Sequence, residues 1–330
     1  LQGREGKIIR SAKPLLYIVP IVAMLIIPLI ISHPVILHII IYTFFYAYFA
    51  LAWAVLGVLA GQLSLGHAIF FGIGAYTSII LQIRYDIIPW VSMFIGGGLA
   101  ALMGVLLGFP CFRLRGGFYA LATLAFMEVM RVLATYFVDL TGGAEGETVP
   151  LMGDSLLYFQ FLSKVPYYYI MFGLLLVMIV VYHRVSNSKL GYYLSAIRED
   201  EDAAGSLGVD VFKCKLKAAA ISAFFTGILG VFYVQYVRFI HPVSAFGLWR
   251  AVDPIIISAL GGPGILGPLV GSAIITPVTE VLIMTLGGKF ATIKMMVYGA
   301  ILVIVILRMP SGIVGPLRKL YHKIAKKRKT

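Results

Sequence analysis

From Pro14 to Ile83 the chain runs for 70 residues without one Asp, Glu, Lys or Arg. A soluble domain carries about a quarter charged residues, spread over the surface it shows to water. This stretch has no such surface to offer. The rest of the chain agrees: of 330 residues, 12% are charged and 60% hydrophobic, and the mean hydropathy is +0.96. Lipid is the solvent such a chain requires. Inside lipid every backbone polar group needs an internal partner, so only helices and closed barrels cross. Long apolar runs, rather than alternating segments of about ten residues, select helices. The expected fold class is all-α: a polytopic transmembrane helical bundle of about 8–10 spans, some broken or re-entrant, each using roughly 20 residues. One transmembrane domain is expected over 1–330.

Ten crossings account for the pattern, near 14–32, 35–60, 63–83, 89–110, 117–138, 167–183, 216–237, 252–267, 268–286 and 291–308. Basic residues orient them. Arg4, Lys7, Arg10 and Lys13 precede the first run, and a tail over 309–330 carries Arg318, Lys319, Lys323, Lys326, Lys327, Arg328 and Lys329. By the positive-inside rule both termini read as cytoplasmic. The net charge of +13 is thus a membrane-surface anchor and not a nucleic-acid signal. Arg113 and Arg115 fall on the same side, as does a polar island at 184–215. The acidic loop 139–166, with Asp139, Glu145, Glu147 and Asp154, falls outside. Cys111 and Cys214 show neither disulfide nor metal spacing. The run Pro14–Ser32 lacks a small-residue cleavage site and reads as a span, not a cleaved signal.

Two segments make poor lipid-facing helices. Gly61–Ser78 holds four glycines with Gln62, Ser64 and His67, and Ala259–Pro277 is rich in glycine and proline. Such breaks are tolerated where backbone is buried or lines a cavity, and in transporters they mark the path. Close helix packing on glycine is the competing explanation. Glu128 and Arg131, three apart on one helix face, can neutralise each other. Glu280 is a lone carboxylate within an apolar run. Charges at such depth are functional candidates by default.

The island, Gly191–Lys215, reads as helix, turn, helix. Helix formers run from Ala196 to Ala204, Gly205 interrupts, Gly208 is placed to end the helix, and Asp210 to cap the next. So short a helix is stable mainly when its apolar face, Leu194, Ile197, Ala203, Ala204 and Leu207, packs on something. That something is either the membrane interface or a soluble partner.

At these residues the chain resembles the membrane permeases of branched-chain amino acid ABC transporters, the LivM type. The Glu-x-Ala-Ala pattern of their coupling segment stands here as Glu201-Asp202-Ala203-Ala204, followed by Gly208. Three further blocks are similar and in order: Gly61–Ser78, Leu121–Gly146 and Ala259–Ala273, with an ending at Leu307–Gly315. The loop Leu140–Pro150 lacks the usual asparagine, and Pro263 stands where methionine is commoner. Both sites bear on substrate choice, so urea and short-chain amides stay open beside Leu, Ile and Val.

The resemblance implies a permease subunit and not an enzyme. ATP and Mg would sit on two cytoplasmic ATPase subunits, and this chain has no GxxxxGK[ST] loop of its own. A second homologous permease and an extracytoplasmic substrate-binding protein would complete the system. Leu194, Ile197, Ala203, Ala204, Leu207 and Gly208 would seat the coupling segment in an ATPase groove. Arg198, Glu199, Asp200, Glu201 and Asp202 would form its rim. The substrate would meet broken helices near the midplane, at Gln62, Ser64, Gly66 and His67 with Gly261, Gly262 and Gly264, where free N–H groups hold a carboxylate. For His67, a satisfied internal hydrogen-bonder is the alternative. The rival class, an ion-driven carrier, would rely on Glu128 and Glu280.

Overall fold

The computed structural model describes residues 22–30, 33–286 and 312–314. The expected crossing at 14–32, apart from 22–30, the crossing at 291–308 and both basic terminal segments lie outside the described residues. In chain order the helices are α1 (22–30), α2 (Pro34–Gly57), α3 (His67–Tyr85), α4 (Pro89–Cys111), α5 (Gly117–Tyr136) and α6 (Val138–Thr141). There follow α7 (Val165–Ser186), α8 (Lys189–Glu199), α9 (Glu201–Ser206), α10 (Val211–Val237), α11 (Pro242–Phe246), α12 (Leu248–Gly261) and α13 (Leu266–Leu286). Among the described residues, eight stretches are long and apolar enough to cross a membrane: α2, α3, α4, α5, α7, α10, the run Pro242–Gly261 and α13. The protein is a polytopic all-α bundle.

The centre of the bundle is α10, packed along α3, α4 and α2. Of its most apolar window 72% is buried, against 28% for α5 at the periphery. Lipid is as apolar as leucine, so helices associate through close packing of small residues rather than a hydrophobic drive. The sequence supplies them where α3 meets α10. A Cβ on Gly74 would lie 2.0 Å from the Gly227 carbonyl oxygen, and one on Gly230 2.1 Å from that of Phe71. Glycine as a packing residue therefore accounts for part of the block that reads from sequence as a broken span. The second hub is α2, which opens on Pro34, the residue suited to a first helical turn. It packs against α7, α10, α12 and α13.

Two boundaries differ from expectation. The span expected over 252–267 runs from Pro242 to Gly261, bending at the α11–α12 junction. It stops early because Gly262 and Gly264 take φ of +100° and +89° around Pro263, a conformation no L-residue helix continues through. At the opposite end, the glycine-rich loop after α6 is pinned. Strand β1 (Glu147–Thr148) pairs antiparallel with β2 (Phe239–Ile240), Glu147 opposite Ile240. The loop that leaves α5 is thereby tied to the end of α10.

Candidate functional site

The polar island forms a two-helix unit on one end of the bundle. Ser188 caps α8, its hydroxyl accepting from the Gly191 N–H at 3.4 Å. The break falls at Asp200 rather than at Gly205, which lies inside α9. Asp200 turns to extended backbone, and its Oδ1 accepts from the N–H groups of Asp202 (3.0 Å) and Ala203 (2.9 Å). An aspartate capping the next helix outweighs a glycine in mid-helix, because it satisfies donors that would otherwise be orphaned. Gly208, at φ +87°, ends the unit. Asp210 caps α10 as expected, accepting from Lys213 N–H at 3.0 Å, and this bond with the Lys213 ammonium holds its carboxyl below the usual range.

Three tethers join the unit to the bundle. The Glu201 carboxylate meets the Lys215 ammonium at 2.7 Å, and the Lys215 side chain is only 1% exposed. Arg115, in the α4–α5 turn, makes a two-pronged pair with Asp202 at 2.7 and 2.9 Å. That guanidinium holds the Asp202 carboxyl below its ordinary range. Arg198 donates to the Val58 carbonyl at 3.2 Å in the α2–α3 turn. There Gly61 sits at φ +68°, and a Cβ on it would come 2.7 Å from the Arg198 Cγ. The unit thus touches two interhelical turns and the central helix.

The expected apolar face divides. Leu194, Ile197 and Ala204 are buried in this chain's own core, so they cannot also enter a partner's groove. Leu207, 86% exposed, and Ala203 face outward with Gly208. Glu201, expected on an outer rim, turns inward to Lys215, whereas Glu199 stays outside on Arg198. Sequence reasoning missed Lys215 and Arg115. Lys215 shares a helix face with buried Ala218, Ala219 and Ser222, a spacing that could have flagged it.

The expected substrate residues lie on the α8–α9 side of the bundle, with His67 reaching Ser222 near the middle of α10. Ser258 Oγ bonds the Ala50 carbonyl and Glu280 meets His38. The α12–α13 turn therefore sits toward the C-terminal end of α2, as the 58–66 turn does. Here several backbone N–H groups already have partners. The Gln62 N–H bonds Leu56 O, the Leu65 N–H bonds the Thr123 hydroxyl, and the Gly66 N–H bonds Ser64 Oγ. His67 is fully buried, with Nδ1 3.1 Å from Ser64 Oγ and Nε2 2.7 Å from Ser222 Oγ. Ser222 gives its proton to Ala52 O at 2.7 Å, so Nε2 carries the imidazole proton and Nδ1 accepts from Ser64. This is a joint between α2, α3 and α10. Gly261 and Gly262 pack backbone to backbone: a Cβ on Gly261 would lie 1.7 Å from Gly267 O, and one on Gly312 2.4 Å from Gly262 Cα. Gly264 alone of the three faces open space.

Among the described residues the protein is thus a bundle of eight candidate spans with a tethered helix pair on one end. The sequence profile of the branched-chain amino acid transport system permease component matches residues 35–306. The chain belongs to this permease family. It is 32% identical over 298 residues to the high-affinity branched-chain amino acid transport system permease protein LivM of Escherichia coli K12, covering 84% of this permease and 69% of that one. The Salmonella typhimurium protein of the same name is 31% identical over the same shares. A probable LivM protein of Methanocaldococcus jannaschii is 24% identical over 232 residues, 66% of each chain. No solved structure matches the permease.

Proposed function

We propose that this permease is the membrane-spanning subunit of an ABC importer for leucine, isoleucine and valine. ATP hydrolysis takes place in two cytoplasmic ATPase subunits that dock on α8–α9. A second, homologous permease completes the membrane portion, and an extracytoplasmic binding protein delivers substrate at the other end. The chain lies in the cell membrane with both termini in the cytoplasm. The observation that carries this reading is the tethering of α8–α9. A force on the exposed Leu207–Ala203 surface passes through the Glu201–Lys215 pair into α10, through Asp202–Arg115 toward α5, and through Arg198 to the α2–α3 turn. Packed elements with direct contacts move as rigid bodies, and this is what alternating access requires.

The role of the 61–67 and 261–264 segments then shifts from binding to articulation. They are tightly packed turns at the ends of moving helices. Co-purification with the presumed ATPase subunits, followed by uptake of labelled leucine into vesicles, tests the proposal. Uptake that requires ATP and the ATPase subunits supports it; uptake on an ion gradient without them contradicts it.

A further inference from the structure

At the end opposite α8–α9 lies a cavity of about 450 Å³, open between the start of α2, the 161–164 segment and the end of α10. Its apolar wall is built of Tyr42, Tyr167 and Tyr236. The Tyr167 and Tyr236 rings meet edge to face at 5.1 Å, and Tyr42 and Tyr236 at 5.9 Å. Its basic edge is Lys164, just before α7, and Arg238, just after α10. Arg238 donates to the Phe161 carbonyl at 3.4 Å. Neither cation has an ion-pair partner among the described residues. Burial pushes the Lys164 ammonium below its ordinary range, the cost of holding a charge there without an anion.

The far wall has the opposite character. His38 Nδ1 lies 2.6 Å from the Tyr236 hydroxyl, and His38 Nε2 lies 3.8 Å from the buried Glu280 carboxylate. With the Nε2 proton toward Glu280, Nδ1 accepts the Tyr236 proton, and the Tyr236 oxygen keeps its lone pairs for another donor. One cavity therefore holds two unpaired cations, an apolar aromatic wall and an acceptor backed by a carboxylate. Its volume is in the range of small-molecule sites, which pair apolar walls with a few placed polar groups.

We propose that this cavity is an outer-side binding site for the zwitterion of an apolar α-amino acid. Lys164 and Arg238 take the carboxylate, the tyrosine rings take the side chain, and the Tyr236 oxygen accepts from the ammonium. The site deepens the importer reading and rests on it: it gives substrate released at the outer face a first place to bind. A carboxylate side chain against three aromatic rings would lose its hydration without a partner, so the site disfavours acidic amino acids.

The experiment uses the assembled transporter in nanodiscs without binding protein, and measures tritiated leucine binding together with the KM for uptake in proteoliposomes. Lys164→Met and Arg238→Met are each expected to weaken leucine binding about tenfold, the loss of one charge-assisted contact worth roughly 1.4 kcal/mol. Lys164→Arg should retain most of the affinity. Isocaproate, which keeps the carboxylate, should compete more weakly than leucine, and isopentylamine, which lacks it, should not compete. Tyr236→Phe, which keeps the ring and so guards against a misfolded lysine variant, should erase the preference for leucine over isocaproate. Unchanged leucine binding and KM in both methionine variants would overturn the site, as would isopentylamine competing as well as leucine. Wild-type protein that takes up no amino acid in proteoliposomes supplied with ATP and binding protein would overturn the importer reading instead.

Discussion

At the scale of residues, the Glu201–Lys215 pair carries the most consequence. Lys215 is buried beside the Phe112 ring, whose centroid is 6.0 Å from Nζ. Removing its partner leaves a cation uncompensated. Breaking a buried ion pair from one side costs about 3–5 kcal/mol, and the 26% exposure of the Glu201 side chain places this one toward the lower figure. Glu201→Gln is expected to leave ATP hydrolysis measurable while leucine uptake per ATP falls severalfold. Equal losses of both would show that the pair serves assembly only. His67 stood in the sequence with Gln62 and Ser64 as a substrate candidate or an internal hydrogen-bonder, and its hydrogen bonds to Ser64 and Ser222 favour the second reading. Its partner Ser222 is 155 residues away, so nothing local could have revealed the joint. The same holds for Arg250, whose guanidinium lies 4.5 Å from the ring centroids of both Phe71 and Tyr233.

At the scale of elements, α8–α9 shows what a chain can and cannot tell. That the island is two helices, that Gly208 ends it and that Asp210 caps the next were legible, because caps and glycine stops are local chemistry. Which apolar residues face inward was not, because the unit has two surfaces to cover and sequence records only that both are apolar. The tethers make two predictions. Arg115→Asp should cut uptake severalfold by setting like charges together, and the exchange Arg115→Asp with Asp202→Arg should restore it. Because Arg115 depresses the Asp202 pKa, this pair contributes fully above the ordinary Asp value of about 3.9 and is lost only as pH falls through the lower folded value. Uptake lost on acidification between about pH 7 and pH 6 would therefore have another origin. Gly61→Ala forces an L-residue to φ +68°, at a cost of roughly 1–2 kcal/mol, and pushes on Arg198. It should lower the thermal stability of the purified permease complex and weaken coupling together.

At the scale of the whole molecule, α5 is the unfinished part of the bundle. Glu128 and Arg131 form an ion pair with 54% and 31% of their side chains exposed, on the least buried of the described spans. A charge facing lipid at the bilayer centre costs about 2.5–3.5 kcal/mol on insertion scales. The proposed second permease is the natural cover for this face. Cysteine placed at Val129 or Val132, both exposed on α5, should cross-link to that partner in membranes, and labelling by a lipid-phase probe instead would count against it. The bundle itself was legible from hydropathy, which records what avoids water. Hydropathy cannot separate a face that meets lipid from one that meets protein, and for this reason it could not show that several glycines of the two blocks serve close backbone packing.

The central claim is that α8–α9 couples hydrolysis of ATP by partner subunits to movement of an amino acid through the bundle. Leucine uptake and ATP hydrolysis, measured together in proteoliposomes carrying the assembled complex with either the native chain or Leu207→Asp, test it most directly. Leu207 is 86% exposed and belongs to no apolar cluster among the described residues. The variant permease should therefore fold, yet fail to retain the ATPase subunits, and uptake should fall to background. Uptake that survives in Leu207→Asp, or that runs on an ion gradient with no ATPase present, would contradict the account.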